Sequence, residues 1–187
     1  MKKREKDIAL FGGSFNPPHI GHQMILTYLS FSYDFDEIWI LPVYHHYFAK
    51  DKYLISHKDR VAMSKIAFEK ISSKIKVKEI DIENKFIKSF DTLRFLKEKY
   101  PYLNFNLILG EDNYLSRDKW FKFNEIEKMS NIIYLGREGI ESNLNLPFKF
   151  PKISSTKIRD NYIQNSKMLD LKVIEYIKDN NLYNKNT

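Results

Sequence analysis

The sequence predicts an α/β fold, a mainly parallel sheet with helices on both faces. Three observations predict it. Short apolar runs alternate with segments of helical periodicity, three of those runs end directly in glycine (Phe11-Gly12, Leu109-Gly110 and Leu135-Gly136), and 43% hydrophobic residues in a chain of 187 suffice for one buried core.

Taken in order, residues 8–11 form the first predicted strand. Residues 19–31 follow as a helix, with Ile20, Met24, Tyr28 and Phe31 spaced for one face. Residues 37–43 give a second strand, stopped by Pro42, and residues 58–71 a helix with Val61, Ala62, Ile66 and Ala67 inward. Ile75, Val77, Ile80 and Ile82 read as a strand over 75–82. Residues 91–99 make a helix ended by Pro101, and residues 105–109 and 132–135 are buried strands. Two further helices fit 155–164 and 170–179. The stretch 139–151 reads as a mobile loop and the tail 180–187 as a fraying end. One domain over 1–187 accommodates these elements, with a short helical subregion from about 154.

In open parallel sheets ligands bind at the carboxyl ends of strands, where strand order reverses. The segments after Phe11, Val43, Leu109 and Leu135 are therefore the candidate site.

The net charge of +7 is spread over scattered lysines with Glu and Asp interleaved, and only six residues are arginine. That distribution favours a solvated basic surface and a site for anionic small molecules over a specific nucleic-acid groove. The absence of cysteine excludes thiolate zinc, thiol catalysis and disulfides. Only four apolar residues, 8–11, precede the first glycine pair, so no secretory core is expected, and no stretch reaches bilayer length. The expectation is a soluble cytoplasmic protein without a membrane partner.

Phe11-Gly12-Gly13-Ser14-Phe15-Asn16-Pro17-Pro18-His19-Ile20-Gly21-His22 carries the most chemistry. A strand runs into two glycines, which let backbone approach a ligand, and then into a helix opened by prolines. The helix start offers N–H groups and a positive dipole end to an anion. His19 and His22 share a face of its first turn and can donate to phosphoryl oxygens, and Gly21 between them leaves room for a nucleotide. Ile153-Ser154-Ser155-Thr156-Lys157-Ile158-Arg159 is the second motif, hydroxyls before a helix with a guanidinium one turn in. Together the two suggest a pair of helix starts gripping one triphosphate. The dinucleotide Gly-x-Gly-x-x-Gly, the P-loop and the His-Glu-x-x-His zinc helix are absent, and the adjacent His45 and His46 read as loop residues.

This pair of motifs resembles those of the nicotinate/nicotinamide mononucleotide adenylyltransferases, in the HIGH-motif nucleotidyltransferase superfamily, over roughly residues 7–183. The resemblance implies a Rossmann-like nucleotidyltransferase fold. It implies adenylyl transfer from ATP to nicotinate mononucleotide, giving deamido-NAD and pyrophosphate, with Mg²⁺ bound through the ATP phosphates and no protein metal ligands. It further implies that His19 and His22 contact ATP phosphates, with His22 at the α-phosphate. Gly12 and Gly13 would line the shared cleft, with Ser14 and Phe15 turned toward the mononucleotide, and Asp112 in Gly110-Glu111-Asp112 would hold ribose hydroxyls. Ser155, Thr156 and Arg159 would take the β- and γ-phosphates. Ser89 and Thr92, in Ser89-Phe90-Asp91-Thr92-Leu93, and Trp120 would lie by the pyridine. Many bacterial members carry Pro-Pro-His-Lys after the second strand, where this chain reads Pro42-Val43-Tyr44-His45-His46-Tyr47-Phe48-Ala49-Lys50. Lys50 resembles the lysine that meets the acceptor phosphate, with Lys52 as the alternative, and a homo-oligomer is compatible with this reading.

Rival readings are an enzyme using the amide mononucleotide or both forms, a pantetheine-phosphate adenylyltransferase, a cytidylyltransferase, a synthetase fragment, and a non-catalytic nucleotide sensor or RNA binder. No Lys-Met-Ser-Lys-Ser loop is present, which argues against the synthetase.

Overall fold

The computed structural model describes residues 5–45 and 54–183. In chain order its elements are β1 (Lys6–Gly13), α1 (Ile20–Ser32), β2 (Glu37–Pro42), α2 (His57–Phe68), β3 (Ile75–Val77), α3 (Ile80–Glu83), α4 (Ser89–Lys99) and β4 (Leu103–Gly110). There follow α5 (Glu111–Leu115), α6 (Phe123–Met129), β5 (Asn131–Arg137), β6 (Lys149–Phe150), α7 (Ser155–Asp160), α8 (Tyr162–Asn165) and α9 (Leu171–Asp179).

The six strands form one sheet in the order β3-β2-β1-β4-β5-β6, and every pairing is parallel. The order reverses between β1 and β4, so their carboxyl ends open a crevice beside Gly12-Gly13 and Gly110. Side chains alternate across the sheet. Ile8 and Leu10 on β1 join Trp39, Leu41, Leu107 and Leu109 on one face, packed on Leu93, Leu96 and Ile126 of α4 and α6. Ala9 and Phe11 point the other way, with Ile38 and Ile40, toward Leu26, Leu29, Met63, Phe68, Val173 and Ile177. Each fully buried Leu, Ile or Phe contributes about 1.5–3 kcal/mol, which makes these two layers the main source of stability.

Several elements depart from the sequence expectation. On α1 the buried stripe is His22's own: Leu26 and Leu29 are buried, whereas Ile20 and Met24 are exposed and Phe31 is 82% exposed. Both sides of this helix are apolar, and the side that ends at the motif is the one the sheet covers. The expected strand over 75–82 stops at Val77, after which Glu79 opens the short helix α3. Acidic residues in a first turn favour that choice. Helix α2 ends at Phe68, not 71, α4 begins at Ser89, and the expected helix over 155–164 is two pieces that break at Asn161. The expected mobile loop contains β6, paired Gly136↔Lys149 and Arg137↔Phe150. Within the tail expected to fray, residues 180–183 are described, and the Tyr183 hydroxyl donates to Asn16 Oδ1 at 2.7 Å. Among the described residues no helix is long and apolar enough to cross a membrane.

Candidate active site

The crevice at the strand-order reversal is a cleft of about 590 Å³, a size usual for a small-molecule site. One end is built on the loop between β1 and α1. Phe15 there adopts the left-handed region (φ 46°), which costs a bulky residue roughly 1–3 kcal/mol unless its surroundings hold it. Its ring is buried against Phe11, His22 and Phe68. The loop's carbonyls are held from two helices. Arg60 on α2, fully buried, donates to Ser14 O at 2.9 Å and to Val43 O at 2.7 Å, tying the loops after β1 and β2 together. Arg159 on α7 donates to Asn16 O at 2.6 Å, and Ser155 Oγ to Pro17 O at 2.9 Å.

His19 and His22 stack at this end, ring centroids 3.7 Å apart and planes 17° apart. The His19 N–H donates to His22 Nδ1 at 3.2 Å. A neutral ring that accepts through Nδ1 carries its proton on Nε2, so His22 is left with an Nε2–H donor. Burial lowers the His19 pKa to about 4, helped by the positive charge of Arg137. Burial also holds His22 well below the usual histidine range, with His19 and then Arg137 adding to it. Two stacked imidazoles beside a guanidinium therefore stay neutral near pH 7. A Cβ at Gly21 would crowd this packing, meeting His19 Nδ1 at 3.1 Å and Ile153 Cβ at 3.3 Å. Gly12 is different: a Cβ would touch only Leu41 O, at 3.9 Å, and the space above it belongs to the cleft.

Arg137, at the carboxyl end of β5, lines the cleft and reaches Asp112 Oδ2 at 3.4 Å. Its backbone N–H and the Ser142 hydroxyl donate to the buried Glu111 carboxylate, and the hydroxyl, the larger influence, holds Glu111 below its usual range. This ties the segment after β5 to the start of α5.

The other end is walled by α3, α4 and the segment before α6. Asp81, Lys88, Ser89, Thr92, Trp120 and Phe121 line it. Thr92 Oγ1 donates to Asp81 Oδ1 at 2.7 Å, and burial raises the Asp81 pKa to about 6 against the opposing effect of that bond. Lys88 Nζ lies 4.0 Å over the Phe121 ring, and the Trp120 ring packs on Phe123.

Gly12, Gly13, Ser14, His19, His22, Ser89, Thr92, Asp112, Trp120, Ser155, Thr156 and Arg159 all line this one cleft. Phe15 does not line it; its ring is turned into the core, so any ligand contact it makes is through backbone. Ser89 is the first residue of α4, with Lys88 in the capping position. Helix α7 has six residues, so the second grip expected there would rest on the side chains of Thr156 and Arg159 more than on a helix dipole. His45 lines the cleft, while His46, Lys50 and Lys52 lie outside the described residues. Asp118 lines an adjoining depression rather than the cleft.

Comparison with known proteins fits this geometry. Residues 10–161 match the family described as Cytidylyltransferase-like. A probable nicotinate-nucleotide adenylyltransferase of Myxococcus xanthus is 34% identical over 180 residues, covering 94% of each chain. The chain belongs to the nicotinate-nucleotide adenylyltransferase family. The nicotinate-nucleotide adenylyltransferase of Bacillus subtilis is 30% identical over 188 residues, covering 95% of this chain and 98% of that one. The fold is that of the Plasmodium falciparum nicotinic acid mononucleotide adenylyltransferase complexed with NaAD, with a TM-score of 0.80 at 24% identity over 95% of this chain and 97% of that chain.

Members of this nucleotidyltransferase family generally use a divalent cation with ATP. Among the described residues no three His, Asp or Glu side chains gather as ligands, and Glu111 and Asp112 are engaged with Ser142 and Arg137. A cation carried in by a triphosphate and its waters fits this donor set.

Sequence reasoning missed Arg60, Asp81 and Arg137. The segment after Leu135 was expected to hold the site, and an arginine two residues past a buried strand run was the available signal for Arg137. Arg60 and Asp81 carry no local signal, because each acts through a distant element.

Proposed function

We propose that this chain, as one nucleotidyltransferase domain, transfers the adenylyl group of ATP to nicotinate mononucleotide. An oxygen of the acceptor phosphate attacks the α-phosphorus in line, the bond from the α-phosphorus to its bridging oxygen breaks, and deamido-NAD and pyrophosphate result. The acceptor phosphate is already ionised near neutrality, so positioning and charge stabilisation carry the rate rather than a strong base.

His22 Nε2–H is the donor to the α-phosphoryl oxygens, His19 supports it, and Arg137 supplies charge beside both. Thr156 and Arg159, with Ser155, take the β- and γ-phosphates, and Asp112 takes ribose hydroxyls. Gly12 and Gly13 let the nucleotide approach the sheet, and Ser14 offers backbone to the mononucleotide. Ser89, Thr92 and Trp120 form the pyridine wall, and Lys50, or Lys52, meets the acceptor phosphate. Mg²⁺ on the triphosphate would supply further positive charge at the leaving pyrophosphate.

The observation that carries this reading is the stacked His19–His22 pair and Arg159 meeting at one end of a cleft whose far wall carries Thr92 and Trp120. The preference for the acid form is supported by the names of the curated relatives. Purified protein with ATP, Mg²⁺ and nicotinate mononucleotide is expected to release pyrophosphate and form a dinucleotide. An amide preference of tenfold or more in kcat/KM, about 1.4 kcal/mol, would overturn the acid assignment. Turnover of phosphopantetheine with both mononucleotides inert would overturn the family branch.

A further inference from the structure

The C-terminal segment after α9 does more than end a helix. Asn181 N–H donates to Lys178 O at 3.1 Å and Leu182 N–H to Ile177 O at 2.9 Å, with Asn181 in the left-handed region (φ 51°). These two bonds are a Schellman stop, which reverses the chain and packs the following apolar residue back on the helix. Leu182 packs against the core cluster that contains Ile177. The reversal, continued by Tyr183 at φ 62°, delivers the Tyr183 hydroxyl to Asn16 Oδ1 at 2.7 Å.

Asn16 is 2% exposed and lines the cleft between the glycine pair and His19. An asparagine amide has an acceptor corner and a donor corner. A donor bonded to Oδ1 fixes which is which, and a phenol can serve as that donor. Burial pushes the Tyr183 hydroxyl above its ordinary range, so it stays protonated and donates at any working pH. The same Asn16 offers its backbone carbonyl to Arg159 Nη1 at 2.6 Å. The hydroxyl of Tyr183 and the guanidinium of Arg159 thus hold one residue from two directions.

We infer that Tyr183 is a positioning residue for the phosphate end of the cleft: its hydroxyl fixes the orientation of the Asn16 side chain and so keeps Asn16 O in place for Arg159. It touches no substrate. The inference rests on the reading of this end as the ATP site and extends that site to the last described residue of the chain.

Tyr183→Phe keeps the ring and deletes the hydroxyl. Binding of ATP to the chain without any acceptor is the primary readout, with KM for each substrate and the thermal midpoint alongside. The dissociation constant and KM for ATP are expected to rise about fivefold to tenfold, the loss usual for one internal hydrogen bond, with KM for nicotinate mononucleotide unchanged. Asn16→Ala is the second variant. On that background Tyr183→Phe is expected to add little, because the partner is already gone. Equal movement of both KM values, an unchanged ATP constant, or the same fold-change on both backgrounds would overturn the inference. ATP binding that responds as expected in a chain that forms no dinucleotide would leave the inference standing and remove the proposed reaction. Failure of the unaltered chain to bind ATP would overturn both.

Discussion

The two ends of the cleft are built differently. The proposed phosphate end stands on a loop whose carbonyls at Ser14, Asn16 and Pro17 are each held by a side chain, and whose histidines stack on one helix start. At the proposed acceptor end no such loop is found among the described residues. Its wall is assembled from α3, α4 and the segment before α6, with one buried side-chain pair, Thr92 to Asp81, at its centre. Binding a triphosphate calls for fixed donors and close backbone, which a short continuous segment can supply. Shaping a wall around a planar ring calls for side chains from several elements, each placed by its own packing.

Three measurements test that division. The largest effect is expected for His22→Ala, a fall in kcat of about 10²–10³, the usual loss of a preorganised donor. The ring also packs on Phe15 and Phe68, so a loss of about 1–3 kcal/mol in stability should accompany it, read from the urea midpoint. Unchanged turnover would make the pair structural and leave the phosphate end without its main donor. Thr92→Val comes next. It removes the bond to Asp81 and should raise KM for the mononucleotide about tenfold with KM for ATP unchanged. Equal shifts in both would mean that the two ends are one unit.

The smallest effect is the response of stability to pH, and its sign differs between the ends. His19 titrates at about 4 when folded and near 6.5 when unfolded. The unfolded chain therefore takes up the proton first, so the stability is complete above about 6.5 and is lost as pH falls toward 4. Asp81 holds its proton up to about 6 when folded and loses it near 3.8 when unfolded, so its contribution is complete below 3.8 and lost as pH rises through 6. Urea midpoints should show His19→Gln narrowing the drop between pH 7 and pH 5, and Asp81→Asn stabilising more at pH 8 than at pH 5. The same sign for both variants would remove the electrostatic side of the contrast.

That contrast also governs what could be read from the chain. The phosphate end lay in two continuous motifs, and the strand-helix alternation that frames them followed from apolar periodicity. The residues that escaped act across the fold. Asp81 was read into a strand because Ile80 and Ile82 extend an apolar alternation, yet the ladder ends where Lys78 N–H bonds Ile40 O, and the acids beyond it start a helix. The apolar face of α1 was misassigned because Ile20, Met24 and Phe31 repeat as regularly as His22, Leu26 and Leu29. Only the position of the sheet decides which side is covered. Trp120, in the cleft and against Phe123 at once, could have been read from sequence as core or as wall, and it serves as both.

The strand order has a consequence for how the molecule comes to exist. β1 lies between β2 and β4, with Ile8 beside Glu37 on one side and Phe105 on the other. The first pairing closes a short stretch of chain, whereas the second waits for most of the chain to be synthesised. Non-local pairing of this kind must meet its loop-closure entropy before its contacts reward it, which slows folding relative to a helical bundle. During synthesis the histidine motif therefore gains β2 on one side well before β4 closes the other. A nascent chain that has reached only β3 carries the whole of that motif and still lacks one side of the crevice in which a nucleotide would lie.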